Sequence, residues 1–192
     1  MKIQDRYNNI IDWFKANMPI AETELNYETP FQLLIAVILS AQCTDKRVNM
    51  ITPALFAKYP TLDAFAEADL EDMEEMVHSC GFYKHKARDI VLACQMLLAE
   101  YGGKVPSTMD ELLRIPGVGR KTANLLLGDL YGQPAVVCDT HCIRITGKLG
   151  LTDGTKDPHK CEQQLWKVLP KEETSDFCHR IVLFGRDCCT AR

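Results

Sequence analysis

The 192-residue sequence has no hydrophobic run long enough to cross a membrane. Its longest apolar run, Leu33 to Leu39, is far shorter than the roughly 18 residues that a spanning helix needs. The first residues, Met1 to Asp5, also lack the apolar segment of a secretory signal. We therefore expect a cytoplasmic protein with no membrane partner.

Excess positive charge and strand patterning are absent as well. The chain has 22 Lys and Arg against 26 Asp and Glu, a formal net charge of −4. This balance weighs against a protein held on nucleic acid by bulk charge alone, although a local basic face is compatible with it. Apolar residues recur at helical spacing, and the one short strand candidate is residues 134–138. The sequence predicts an all-α protein with nine or ten helices.

None of the nine cysteines pairs with another at the C-x-x-C spacing of zinc ribbons and redox motifs. Several lie within apolar runs, and the total is odd. These features favour free, buried thiols in a reducing cytoplasm for the seven cysteines that precede Cys188.

The charges are unevenly distributed along the chain. Seven acids and no Lys or Arg lie between Asp63 and Glu75, which predicts a solvated face that points away from any polyanion. The sign reverses after Gly81, where Lys84, His85 and Lys86 follow. A local basic patch is therefore expected at this point of an acidic protein.

A glycine-containing turn separates two predicted helices within residues 108–128. Pro116-Gly117-Val118-Gly119 forms the turn, and the second helix begins near Arg120 with Lys121 beside it. Two glycines let the backbone turn tightly and approach a partner, and the amides of a helix N-terminus bind anions. A DNA phosphate is the ligand that we expect here, although the same turn can also simply join two helices.

Asp139 follows Lys121 by eighteen residues in the segment Val137-Cys-Asp-Thr-His141. It has the position of an N-cap for a helix over residues 140–149. Capping alone is a sufficient role for an isolated aspartate. The combination with the upstream hairpin and lysine gives it a second interpretation.

The segment Leu112–Asn124, together with Val137–His141, resembles endonuclease III, the family of helix-hairpin-helix base excision DNA glycosylases with a Gly/Pro-rich loop and a catalytic Asp. Three further segments resemble the same family in order and spacing: Leu39–Asp45, Gly81–Ala87 and Phe184–Arg192. The likeness covers nearly the whole chain.

The resemblance implies a two-lobed all-α fold with DNA in the cleft between the lobes. Residues 21–133 would form a six-helix barrel lobe that includes the helix-hairpin-helix at about 108–128. Residues 1–20 with 134–192 would form the second helical lobe.

The resemblance also implies a bifunctional DNA glycosylase and apurinic/apyrimidinic (AP) lyase. Lys121 would be the nucleophile that forms a Schiff base with the sugar, and Asp139 the essential carboxylate. β-Elimination would then nick the strand 3′ to the abasic site. Family members that remove adenine opposite oxidised guanine lack this lysine and only cut the glycosidic bond. Oxidised pyrimidines are the lesions expected from the family likeness.

Further DNA contacts are implied by position in the family motifs. Gln42 would fill the space that the damaged base vacates, and Phe82 would be a wedge between base steps. The remaining residues with expected contacts to phosphates or the base pocket are Tyr83, Lys84, Lys86, Gly117, Gly119, Arg120, Thr140 and His141. The alternatives are a buried, backbone-bonded glutamine at 42 and a core aromatic at 82.

The C-terminus departs from the family pattern. Many members end with four cysteines, spaced C-x6-C-x2-C-x5-C, that hold a [4Fe–4S] cluster. Cys189 falls on the first position and the other ligands are absent, so we expect a shortened chain that cannot form the cluster as written. The cofactor would be present if the natural chain continues past Arg192. The hairpin carbonyls are a further expected site for a monovalent cation.

Two other functions are compatible with these motifs. One is a helix-hairpin-helix DNA-binding protein without catalysis, truncated or inactive, in which Asp139 and Gln42 have no required role. The other is a family glycosylase for another lesion. The expected partner is double-stranded DNA with a damaged base or an abasic site, bound by a monomer.

Overall fold

A computed structural model of the chain describes residues 2–190, and this part is helical without a β-strand. The predicted all-α class is confirmed. No helix within these residues has the length and apolar character required to cross a membrane. The α-helices are α1 (Ile3–Asn17), α2 (Pro30–Ser40), α3 (Asp45–Lys58), α4 (Leu62–Ala66), α5 (Leu70–Val77), α6 (Tyr83–Tyr101), α7 (Met109–Leu112), α8 (Arg120–Tyr131), α9 (Thr140–Lys148), α10 (Pro158–Leu165) and α11 (Thr174–Asp187).

Eleven α-helices in the described range exceed the nine or ten expected. Helix α4 has only five residues, too few to show a helical period in the sequence. Two 3₁₀ helices, His78–Cys80 and Lys171–Glu173, are also too short to be predicted from the sequence.

The chain divides into two compact units, and the first is continuous, covering Glu24–Leu126. Its centre is α2, in which every residue from Leu33 to Leu39 is buried. A helix that is apolar all round needs partners on every side, and this explains its central place. Thr29 and Gln32 close a capping box at its N-terminus.

The second unit is made from both ends of the chain, residues 1–23 and 127–192. Its core includes an aromatic cluster between α1 and α11. The Phe14 ring centroid lies 5.9 Å from that of Phe177 and 5.6 Å from that of Phe184. The N-terminal helix is therefore an integral part of a unit whose other helices lie more than a hundred residues later in the chain.

The strand candidate at residues 134–138 is wrong. The backbone there pairs with no other strand among the described residues, and its amides donate to side chains of α11 instead. The amide of Ala135 donates to the Thr174 hydroxyl at 3.0 Å, and that of Val137 donates to the Cys178 Sγ at 3.3 Å. Val136 and Val137 therefore fill the core without a β-ladder, because side chains of α11 accept hydrogen bonds from this segment.

Candidate active site

The hairpin between α7 and α8 depends on the conformation of Gly117. Its φ of +78° lies in the left-handed region that favours glycine. A Cβ at this position would also lie 3.1 Å from the Asp89 Cβ and 3.2 Å from the Ile38 Cγ2. Glycine therefore lets the hairpin pack closely on α2 and α6, which fixes its place within the first unit.

The outer side of the hairpin is open to solvent and carries cationic side chains. Gly119, Arg120 and Lys121 are all exposed, and a Cβ at Gly119 would meet no atom within 4 Å. Helix α8 starts directly after the turn, with the Ala123 amide donating to the Gly119 carbonyl at 2.9 Å. A helix N-terminus, a bare backbone and two cations form a suitable site for a phosphate.

Gln42 and Phe82 lie on two other loops of the same unit and have an unusual backbone in common. Their φ values are +52° and +47°, and they are the two non-glycine residues with positive φ within residues 2–190. Both side chains are exposed, Phe82 by 65%. This exposure rules out a buried glutamine and a core aromatic. Strain of this kind at exposed side chains is typical of functional loops.

Lys86 requires a correction, because it is not an exposed phosphate contact. Its side chain is 5% exposed, and its Nζ donates to the Leu39 carbonyl at 2.8 Å and the Cys80 carbonyl at 2.7 Å. Burial lowers the pKa of this lysine. The two carbonyls precede the loops of Gln42 and Phe82, so Lys86 ties those loops together from inside the protein.

The neighbours of Lys86 are closer to what the sequence predicts. Lys84 and His85 are exposed, as a local basic patch requires. Tyr83 is half-buried, and its ring lies 4.4 Å from the His78 ring, centroid to centroid. The exposed patch on this part of α6 therefore includes Lys84 and His85 but not Lys86.

Asp139, Thr140 and His141 belong to the second unit. Asp139 is the N-cap of α9, and its Oδ1 accepts a hydrogen bond of 2.7 Å from the Cys142 amide. Its other carboxylate oxygen is not used by that cap, and the residue is half-exposed. Thr140 is exposed, and the half-buried His141 has its Nδ1 3.2 Å from the Arg144 Nη2.

Two residues that position His141 are not predicted by the sequence motifs. Arg144 contacts its ring, and Gly185 of α11 lies so close that a Cβ there would fall 2.2 Å from the His141 Nδ1. A glycine inside a helical pattern usually has a packing reason, so the position of Gly185 in the sequence indicates a close contact. Nothing in the sequence pairs Arg144 with His141 except their spacing of three residues on one helix.

Cys189 does not form part of a metal-ligand set in the described residues. It is half-buried, with the Arg144 Nη1 3.2 Å from its Sγ, while the adjacent Cys188 is exposed. A [4Fe–4S] cluster requires four thiolates, and a single half-buried cysteine beside an arginine does not hold one. The residues present at this position do not fit the cluster.

Comparison with known proteins assigns the chain to a family. Residues 35–171 match the HhH-GPD superfamily of base excision DNA repair proteins. Endonuclease III of Synechocystis sp. is 46% identical over 190 residues, which cover 98% of this chain and 86% of the relative. The chain belongs to the endonuclease III family. Endonuclease III of Escherichia coli K12 is 39% identical over 183 residues, covering 95% of this chain and 86% of the relative.

Solved structures of endonuclease III agree with this assignment. A non-covalent complex of endonuclease III with DNA has a TM-score of 0.95 and 42% identity, covering all of this chain and 90% of the solved one. A trapped covalent endonuclease III–DNA intermediate gives a TM-score of 0.94 at the same identity and coverage. The predictions of the helix-hairpin-helix glycosylase fold and of a base excision repair glycosylase with AP lyase activity are confirmed at the level of the endonuclease III family.

Proposed function

We propose that this endonuclease III family member uses Lys121 as the nucleophile and Asp139 as the essential carboxylate of a DNA glycosylase and AP lyase. The observation that carries the proposal is the exposed Lys121 amine in the first turn of α8, directly after the hairpin. A hairpin that holds a phosphate brings such an amine to the sugar of a nucleotide. The covalent intermediate solved for a protein 42% identical to this chain supports an enzyme nucleophile.

The chemistry begins with a neutral amine, because a protonated lysine cannot attack. The Lys121 Nζ bonds to C1′ while the bond from C1′ to the damaged base breaks, and the base leaves with that electron pair and gains a proton. Opening of the sugar ring gives the Schiff base. Loss of a C2′ proton then expels the 3′ phosphate, and water hydrolyses the imine to release the lysine.

The Asp139 carboxylate assists the first step in one of two ways. It accepts the proton that Lys121 loses, or it stabilises the positive charge that develops on the sugar as the base departs. The cap leaves one carboxylate oxygen available for either task. Lys121 itself is exposed, so its desolvation depends on bound DNA rather than on the protein alone.

The substrate we propose is double-stranded DNA with an oxidised pyrimidine or an abasic site, and the location we propose is the cytoplasm, on the nucleoid if the source is bacterial. A base must leave the stack before C1′ is reachable. Gln42 would occupy the vacated space, and Phe82 would enter between base steps, where apolar wedges favour a kink. Thr140 and His141 would line the base pocket.

Borohydride trapping tests the proposal directly. The full chain is mixed with a duplex that holds one thymine glycol, and in parallel with one that holds an abasic site, and borohydride is added. We expect a covalent protein–DNA band with both substrates and no band from Lys121→Ala. DNA binding by Lys121→Ala should fall only modestly, with the slope of log K against log salt changing by no more than about one.

The matched control is Arg120→Ala, which removes the neighbouring exposed cation and leaves the amine. It should lose a similar share of DNA affinity and keep the covalent band. A band that persists in Lys121→Ala overturns the assignment of the nucleophile. A wild-type band on the abasic site alone would contradict the pyrimidine lesion, and no band from folded protein would favour a DNA-binding protein without catalysis.

A further inference from the structure

Four buried cysteines meet within the second unit. The Sγ atoms of Cys138, Cys142 and Cys161 all lie within 4.8 Å of one another, and these residues are 8%, 0% and 0% exposed. Cys178 of α11, 2% exposed, is hydrogen-bonded to the Cys142 thiol. None of these cysteines forms a disulfide. The cluster is not predictable from the sequence, because its members come from separate helices and a loop rather than from a C-x-x-C pair.

We propose that Cys138, Cys142, Cys161 and Cys178 bind one zinc ion. Four thiolates in a closed tetrahedron are a common structural zinc site, and zinc–sulfur bonds of about 2.3 Å place the sulfurs about 3.8 Å apart. The sulfurs of Cys138, Cys142 and Cys161, already within 4.8 Å of one another, reach that geometry through small side-chain rotations, and the Cys178 thiol is within hydrogen-bonding reach of Cys142. Thiolate ligands also select zinc over hard cations such as Mg²⁺ and Ca²⁺.

The surroundings favour the negative charge that thiolate ligands carry. Cys142 lies in the first turn of α9 and Cys161 in that of α10, where the helix dipole stabilises an anion. The Val137 amide donates to the Cys178 Sγ at 3.3 Å. The two helix positions and this amide donor are therefore suited to thiolate ligands.

The site has a direct structural connection to Asp139. Cys138 precedes Asp139 in the chain, and the Cys142 amide holds the Asp139 carboxylate at 2.7 Å. An ion bound by both cysteines would fix the two ends of this turn, while Cys161 and Cys178 would attach it to α10 and α11. The ion would thus be structural and would position the cap. It involves none of the residues proposed for catalysis as ligands.

Metal content tests this independently of DNA repair activity. The full chain is produced in zinc-supplemented medium, purified without chelator, and analysed by inductively coupled plasma mass spectrometry. We expect about one zinc per chain, as for a closed structural site. Cys161→Ser should reduce zinc to background. Cys94→Ser is the matched control, since Cys94 is also fully buried but lies alone in α6, and it should retain the ion.

Cobalt provides a second measurement on the unmutated protein, should Cys161→Ser fail to fold. Co²⁺ added to chelator-treated wild type should give the thiolate-to-metal band and the visible bands of a tetrahedral thiolate site, and zinc should abolish them. Chelation should also lower the melting temperature of wild type. Folded wild type without zinc and without the cobalt spectrum overturns the proposal, as does zinc retained equally by Cys161→Ser. Iron with inorganic sulfide on these thiols would overturn the choice of zinc.

Discussion

At the scale of single residues, the two hairpin glycines have different reasons to lack a side chain. Gly117 combines a φ of +78° with close contacts, so Gly117→Ala should lower the free energy of unfolding by about 1–2 kcal/mol from the backbone alone. Gly119 has open space and lies outside the positive-φ region, so Gly119→Ala should preserve stability and weaken DNA binding by obstructing the phosphate. Urea denaturation and fluorescence anisotropy measure the two effects. Unchanged DNA affinity in Gly119→Ala would contradict a close backbone approach.

Asp139 has two roles at the residue scale, and one substitution separates them. Asn caps helices about as well as Asp, so Asp139→Asn should keep the melting temperature. The loss of the carboxylate should reduce lesion cleavage by about 10²-fold or more, the usual range for a missing acid or base. Asp157→Asn is the control, because Asp157 caps α10 in the same way and has no proposed chemistry. Full activity in Asp139→Asn would leave capping as the role of this residue.

At the scale of elements, Lys86 joins the end of α2 to the loop before α6. Lys86→Met leaves the Leu39 and Cys80 carbonyls without their buried donor, at a cost of about 1–3 kcal/mol for each unsatisfied group. Lys84→Met on the same helix removes an exposed lysine and should change stability by no more than about 0.5 kcal/mol. Urea denaturation of the two variants measures the difference. Equal stability would show that the buried ammonium has no structural role.

The pH dependence of the same pair gives a second measurement of Lys86. Because burial holds its pKa below the ordinary value of 10.5, the unfolded chain binds this proton more tightly than the folded protein. The pH-dependent part of the stability from this group is therefore fully present above pH 10.5 and decreases as the pH falls through the lower folded-state pKa. Wild type should gain stability relative to Lys86→Met as the pH rises through that window, whereas Lys84→Met should follow wild type.

The helices show which local features a sequence reveals and which it hides. Asp139 caps α9 where the sequence predicts a cap, because a cap depends on neighbours within one turn. The burial of Lys86 depends on carbonyls six and forty-seven residues away, and the four-cysteine cluster depends on the packing of separate helices. The positive φ at Phe82 is also not predictable from the sequence, because phenylalanine does not favour that backbone conformation. Long-range packing decides these features.

At the scale of the whole molecule, the chain forms one continuous unit and one discontinuous unit, and this division has consequences for stability. The discontinuous unit depends on α1, whose Phe14 is 2% exposed and packs on Phe177 and Phe184. Phe14→Ala should lower its stability by about 3–5 kcal/mol. Trp13→Ala, at a neighbouring residue that is 45% exposed, should cost less.

Hydrogen exchange followed by mass spectrometry shows which helices lose stability in Phe14→Ala. If each unit unfolds cooperatively by itself, Phe14→Ala should accelerate exchange in α9, α10 and α11 and leave α2 protected. The Asp139 turn lies in the weakened unit, whereas the hairpin and Lys121 lie in the other. Phe14→Ala should thus loosen the proposed carboxylate without disturbing the proposed nucleophile. Faster exchange of α2 to the same degree would instead mean that the two units unfold together, and that the stability of the hairpin depends on the N-terminal helix.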